Sequence, residues 1–431
     1  MATLRVYNAT ILTMRDGAEP IHGAELVSVD GVIDYVGPER AHPGDGFDEQ
    51  IDADGAVLLP GLINAHTHLA MTLLRGFADD MPLQEWLTEK IWPTEAGLVE
   101  DDVYWGTLLG ILEMLRAGVT CYNDMYHYPG AGVRAAIDGG IRALPSGVLL
   151  EFVDERRDVS SATEFALQTR ETSPERIVPM LGPHAPYSCT PEMLTEVAEA
   201  ALEHGFSIHI HLSETVNEVE QVEQQTGMKP VAYLEKLGVL DAHVTAAHCV
   251  HLDDDEIAVL AERGVGIVHC PTSNMKLASG FARVPDMLER GAIVGLGTDG
   301  ASSNNRLDML GEARMAALIH KGYAGDPGVV NARQALDMAT IGAARAIGLQ
   351  ETIGSLQVGK RADFILISMA EAHNQPLHNL CSQLIYAAEA GDVVLTAVDG
   401  VVLYDHGTYT HLDSERIIAR ANESAMRLTR S

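Results

Sequence analysis

At both ends of the chain, apolar and polar residues alternate in short segments. LRVYNATILTM, AELVSVDGVIDYVG and AVLLPG begin within the first 58 residues. GSLQVGKRADFILIS and VVLTAVDGVVLYDHG follow Gly354. Gly, Asp and Pro break each of them, the pattern of short antiparallel strands. The likeness of the two ends predicts one small β-sandwich domain built from residues 1–58 and 356–431, closed by a polar helix over SERIIARANESAMRLTR. Over 59–355 the pattern changes. Apolar runs (GLINAHTHL, GVTCYNDM, IRALPSGVLL, RIVPMLGPH, FSIHIHLSE, HVTAAHCV, VGIVHCPTS, AIVGLGTDG) are separated by helical periodicity such as PEMLTEVAEAALEHG. Eight such strand candidates predict an α/β fold, a (β/α)8 TIM-like barrel. The polar residues that stand out sit at the C-terminal ends of these runs, where this architecture keeps its active site.

Composition narrows the class. At 46% hydrophobic and 21% charged over 431 residues, the chain belongs among globular proteins. Asp and Glu number 61 against 29 Lys and Arg, a formal net charge of −32, and six of the basic residues are Lys. That balance excludes a phosphate-backbone partner, so nucleic acid is not expected. Acid excess with Arg in place of Lys keeps a surface hydrated in concentrated salt, which predicts a halophilic cytoplasm; the alternative is an ordinary acidic enzyme. The start MATLRVYNATILTMRDG has no basic segment followed by an apolar run, and no stretch approaches 18 apolar residues. A soluble cytoplasmic protein without membrane contact is therefore expected. The five cysteines are scattered and lack a CxxC pair, which argues against a disulfide framework.

The chemistry starts with His66 and His68 in INAHTHL, because residues two apart on a strand face the same side. A lone His-x-His is weak, and two loop histidines would read the same. Further groups at other strand ends strengthen it: His211 and Glu214 in FSIHIHLSE, His248 in HVTAAHCV and Asp299 in AIVGLGTDG. Three imidazoles with a carboxylate suit a borderline divalent ion such as Zn²⁺ with one position open for water, and such an ion brings that water's pKa toward neutrality.

This constellation resembles the amidohydrolase superfamily through PGLINAHTHL, HIHLSE, AAHCVHL and LGTDG, in the family's order. The resemblance implies metal ligands His66, His68, His211 and Asp299, with Glu214 as proton shuttle and His248 beside the attacking water. Binuclear members bridge two metals with a carboxylated Lys on the fourth strand. Here no Lys lies between Lys90 and Lys229, and the fourth run ends at His184, so one divalent metal per subunit, zinc, is expected, although Fe²⁺ and Mn²⁺ suit the same donors. Within the superfamily the chain most resembles the 5-methylthioadenosine/S-adenosylhomocysteine deaminases, through LQEWLTEKIWPTE, GPHAPYSCT, HLSET, PTSNMKL and LGTDGASSNN. That likeness implies that Glu95 binds the ribose hydroxyls and that His184 contacts substrate near the sugar. Without it Glu95 would read as a surface charge and His184 as a loop residue. Members that take S-adenosylhomocysteine well carry an Arg where this chain has Ser146, with Arg156 or Arg157 as substitutes from the next loop.

Other residues stay open. His209 shares a face with His211 one layer deeper, as a core histidine would; His251 reads as a loop residue and His269 as a neighbour of the site. Trp86 and Trp92 could wall a base or simply pack. The expected activity is hydrolytic deamination of an adenosine-type nucleoside by a homo-oligomer. The rivals are a guanine, cytosine or triazine aminohydrolase or chlorohydrolase, and an idle metal-binding scaffold.

Overall fold

The structure, a computed structural model, describes residues 2–42, 46–151 and 158–430. Strands β1 (Thr3–Ile11), β2 (Ile21–Val29), β3 (Val32–Pro38), β4 (Glu49–Asp52) and β5 (Val57–Pro60) come from the N-terminal segment. The eight expected barrel runs follow as β6 (Leu62–Thr67), β7 (Val119–Tyr126), β8 (Arg142–Leu149), β9 (Gly182–Pro183), β10 (Ile208–Leu212), β11 (Val244–His248), β12 (Gly266–His269) and β13 (Ile293–Leu296). Strands β14 (Phe364–Ile367), β15 (Val393–Val398), β16 (Val401–Asp405) and β17 (Thr408–Tyr409) then return to the first group.

The two ends form one nine-stranded sheet, ordered β17-β16-β15-β14-β5-β1-β2-β3 with β4 beside β1. Its seam is the antiparallel pair β5 and β14, in which Pro60 faces Phe364 and Val57 faces Ile367. The inward alternation of Leu4, Val6, Ile11, Leu26, Leu58 and Phe364 gives this sheet its own core. Asp30-Gly31, Asp399-Gly400 and His406-Gly407 close tight hairpins with left-handed backbone at both residues (φ 49° and 77°, 50° and 72°, then 43° and 90°), the twist that suits flanking strands. The joint expected at 58/59 falls inside β5. The closing helix Ser414–Leu428 packs on the barrel helix Glu100–Arg116 rather than on the sheet. There Arg420 pairs with Asp101, and the Arg416 and Arg420 guanidiniums cover Trp105.

The barrel consists of two parallel four-stranded arcs, β6-β7-β8-β9 and β10-β11-β12-β13. Leu181 bridges to Ile208 at one junction. At the other, the Asp299 amide donates to the His66 carbonyl (3.0 Å), and Asn64 exchanges hydrogen bonds with Thr298 (2.7 and 3.0 Å). Gly297 is required here, because a Cβ would come within 2.8–2.9 Å of the His66 backbone. Closure thus sets Asp299 directly beside His66. On the opposite, N-terminal face, Arg142 at the start of β8 donates to Asp363 (2.8 and 3.0 Å) and Asp399 (2.7 Å), tying barrel to sheet through a buried charge network. Four of the five cysteines are buried and all are free thiols. Among the described residues no helix is long and apolar enough to cross a membrane.

Candidate active site

His66 lies one residue before the end of β6 with His68 just beyond it, His211 lies on β10, His248 ends β11 and Asp299 follows β13. The chain turns sharply at three of these strand ends: Ser213, His248 and Asp299 have φ of 51°, 72° and 61°, a region that non-glycine residues rarely occupy. Such strain persists where surrounding bonds enforce it, and His248 and Asp299 line the cavity at the mouth. For Asp299 the bonds are its amide to His66 and the Thr67 hydroxyl to its carbonyl (2.9 Å).

The donor atoms converge. Asp299 Oδ1 is 3.3 Å from both His66 Nε2 and His68 Nε2, and His68 Nε2 is 3.2 Å from His211 Nε2. The Nε2 face of each imidazole is left for a ligand because its other nitrogen is engaged. His68 Nδ1 donates to the Met125 carbonyl (2.6 Å) and His211 Nδ1 to the His184 carbonyl (2.8 Å), acceptors that fix the tautomer. His66 Nδ1 meets His209 Nε2 at 2.8 Å, while His66 Nε2 is buried with no hydrogen-bond partner. Burial foremost lowers the His66 pKa to about 4, so the ring is neutral. A buried, neutral, unpartnered imidazole nitrogen facing a carboxylate and two further imidazoles fits a divalent metal. The opposite oxygen of Asp299 is held by the Ser273 and Ser303 hydroxyls (2.6 and 2.7 Å). Burial would raise the Asp299 carboxyl, but His66 and His68 hold it well below its ordinary range.

Beside this set, Glu214 Oε2 stands 3.7 Å from His248 Nε2, and Ser279 donates to Glu214 Oε1 (3.1 Å). Burial raises the Glu214 pKa, with His248 opposing it, so environment supplies the shift that a proton donor needs. His248 Nδ1 lies 2.9 Å from Asn274 Oδ1; burial opposes its charge, yet Glu214 and Asp299 carry its pKa above the ordinary value. Glu218 grips the turn, accepting from the Ser213 and Glu214 amides (2.9 and 2.8 Å).

The surrounding cavity contains His184, Trp86, Trp92 and Glu95. Burial drops the His184 pKa to about 3, and its Nδ1 contacts the Ser188 hydroxyl at 2.7 Å. Trp86 is buried with an unpartnered indole N–H. His127, Asn274, Ser273, Ser279 and Ser303 went unassigned in the sequence; PTSNM and GASSNN carried three of them, Ser273, Asn274 and Ser303, without indicating roles.

Ser146 itself does not line the cavity. It is 1% exposed, donates to the Asp124 carbonyl (3.0 Å) and lies below the cavity, which β8 and its following loop reach through Val148 and Leu150. An Arg at 146 would have to replace packed barrel interior. Arg156 and Arg157 lie outside the described residues. His251 bonds the Ser279 carbonyl (2.6 Å), and His269 pairs with buried His320 (3.0 Å).

The eightfold barrel and its convergent imidazoles define a class, and residues 57–403 match the Amidohydrolase family, to which the chain belongs. Along 98% of its length it is 47% identical to the 5-methylthioadenosine/S-adenosylhomocysteine deaminase of Moorella thermoacetica, covering 99% of that protein. Among solved structures it is similar to a zinc-bound adenosine deaminase from Xanthomonas campestris (TM-score 0.94, 35% identity, 99% and 98% of the two chains). It is also similar to the zinc-complexed atrazine chlorohydrolase of Arthrobacter aurescens (TM-score 0.90, 26% identity, 98% and 100%).

Proposed function

We propose that the chain deaminates adenosine-type nucleosides (5′-methylthioadenosine, S-adenosylhomocysteine, adenosine or 5′-deoxyadenosine) hydrolytically, to the inosine analogue and ammonia. The observation that carries this reading is Glu214, a buried carboxyl with raised pKa, set beside His248 at the edge of the metal-donor set. The names of the relatives above point the same way.

His66, His68, His211 and Asp299 would hold a divalent ion, which when bound would supply acidity to the attacking water. Zinc suits the N₃O donor set, and with His184 following β9 there is no lysine there to bridge a second ion. Asp299 Oδ1 takes one water proton while Ser273 and Ser303 anchor Oδ2. His248 orients the water oxygen toward C6. Glu214 gives its proton to the ring nitrogen as C6 becomes tetrahedral. The Asp299 proton then passes to the amino group, the C–N bond breaks and ammonia leaves. The remaining C6 hydroxyl proton returns to Glu214 as the carbonyl forms. Glu95 receives the ribose hydroxyls and His184 contacts the sugar side.

The net charge of −32 suits a halophilic cytoplasm. The rival reading, a triazine or free-base hydrolase, draws on the chlorohydrolase likeness. Ammonia or chloride release from purine nucleosides, guanine, cytosine and a chlorotriazine tests both. Turnover of the nucleosides alone is expected; turnover confined to the triazine or a free base would overturn the proposal.

A further inference from the structure

Glu95 and His127 come from different elements, the short helical turn Trp92–Glu95 over the mouth and the residue just after β7. Both line the place where the inner cavity opens into a wider outer chamber. The Glu95 side chain is only 6% exposed, and a carboxylate that is so enclosed needs partners for its charge. Its two oxygens are treated differently. Oε2 lies 3.5 Å from His127 Nε2, whereas Oε1 is buried and has no hydrogen-bond partner. Tyr126 faces the same carboxylate, and burial, followed by the Glu95 charge and a hydrogen bond with Glu95, pushes its phenol well above the ordinary range.

We propose that His127 is a positioning residue for the substrate's sugar: it holds Oε2 of Glu95, so that Oε1 is presented to the ribose hydroxyls. An unanchored carboxylate would spread its acceptor directions over several rotamers, and anchoring one oxygen removes that freedom before substrate arrives. This inference rests on the assignment of Glu95 to the sugar.

The test compares kcat/KM for adenosine, 2′-deoxyadenosine and 3′-deoxyadenosine in the wild-type holoenzyme, Glu95→Gln, His127→Phe and His127→Gln, with metal content and Tm measured alongside. In His127→Phe, adenosine is expected to lose about 10-fold or more, mainly through KM, as when a charge-assisted hydrogen bond is weakened. The deoxy analogue that lacks the bound hydroxyl should change less than about 2-fold, because it has nothing to lose at Oε1. His127→Gln, whose amide reaches the place of Nε2, should restore most of the preference. If His127→Phe does not fold, His127→Asn serves in its place: its shorter amide should lose the preference that Gln keeps. Equal losses for all three nucleosides, or an unchanged preference, would overturn the role of His127. If Glu95→Gln abolishes the hydroxyl preference and the His127 variants do not, the inference fails alone. If Glu95→Gln leaves that preference intact, the assignment of Glu95 fails and takes the inference with it.

Discussion

His66 Nδ1 and His209 Nε2 meet at 2.8 Å inside the barrel, one layer beneath the metal-donor set. For His66 to offer Nε2 to a metal its proton must sit on Nδ1 and be given to His209, which makes His209 the orienting acceptor. His209→Ala should weaken metal binding by about 10–100-fold, and His209→Gln, which keeps an acceptor in place, should recover part of it. Competition against a calibrated chelator measures this; an unweakened His209→Ala would show that His66 is oriented by packing alone.

Glu214 contacts His248 and Ser279 but lies outside the His66, His68 and Asp299 donor cluster. Glu214→Gln should keep its full metal content while turnover falls by about 10²–10⁴-fold, the usual size of a general acid–base contribution. Replacing His66, His68 or His211 should lose both metal and activity. Metal loss in Glu214→Gln would make this residue a ligand.

The strand ends were legible because each chemical residue closes an apolar run, and two-residue periodicity tells which face it occupies. Depth along the strand was not legible. Ser146 shares a face with Val148 and Leu150, yet its hydroxyl is spent on the Asp124 carbonyl beneath the cavity. His209 was placed correctly one layer below His211, but its bond to His66 crosses from β10 to β6 and leaves no local trace. His127 sits in DMYHYPG without spacing to mark it, and its contact with Glu95 arises from the turn that carries that residue across the mouth.

Glu312, on the helix Met309–Ala324, accepts from Asn304 (2.8 Å) and the Thr272 amide (3.2 Å). Burial is the main cause that raises its pKa from 4.5 to about 7. A raised folded-state pKa means that the folded protein holds the proton more tightly, so this contribution to stability is complete below about pH 4.5 and is lost as pH rises through about 7. The wild-type Tm minus that of Glu312→Gln should therefore fall between pH 5 and pH 8. A difference that is flat or rises with pH would contradict the buried, protonated state.

The net charge of −32 gives the salt prediction. If the acidic surface is an adaptation to concentrated salt, both activity and Tm should rise as KCl goes from about 0.1 M toward molar levels and self-repulsion is screened. A flat or falling response would remove the halophilic reading and leave the catalytic one untouched.

We expect the 5′-substituent to enter the outer chamber beyond Leu150, where the described lining includes Glu95, Glu151, Gln84, Gln221 and Tyr187 but no Lys or Arg. Two carboxylates and several neutral groups give a homocysteine carboxylate no described guanidinium or ammonium partner. We therefore expect 5′-methylthioadenosine, adenosine or 5′-deoxyadenosine to show a higher kcat/KM than S-adenosylhomocysteine. With Ser146 spent inside the barrel, the position to engineer is Leu150, which lines both the cavity and the chamber. Leu150→Arg should improve S-adenosylhomocysteine selectively by about 10- to 150-fold, the range of a charge-assisted pair worth about 1.5–3 kcal/mol. Arg156→Ala and Arg157→Ala should leave the uncharged nucleosides nearly unchanged. A wild-type preference for S-adenosylhomocysteine that either alanine change abolishes would overturn this expectation and assign the carboxylate to Arg156 or Arg157.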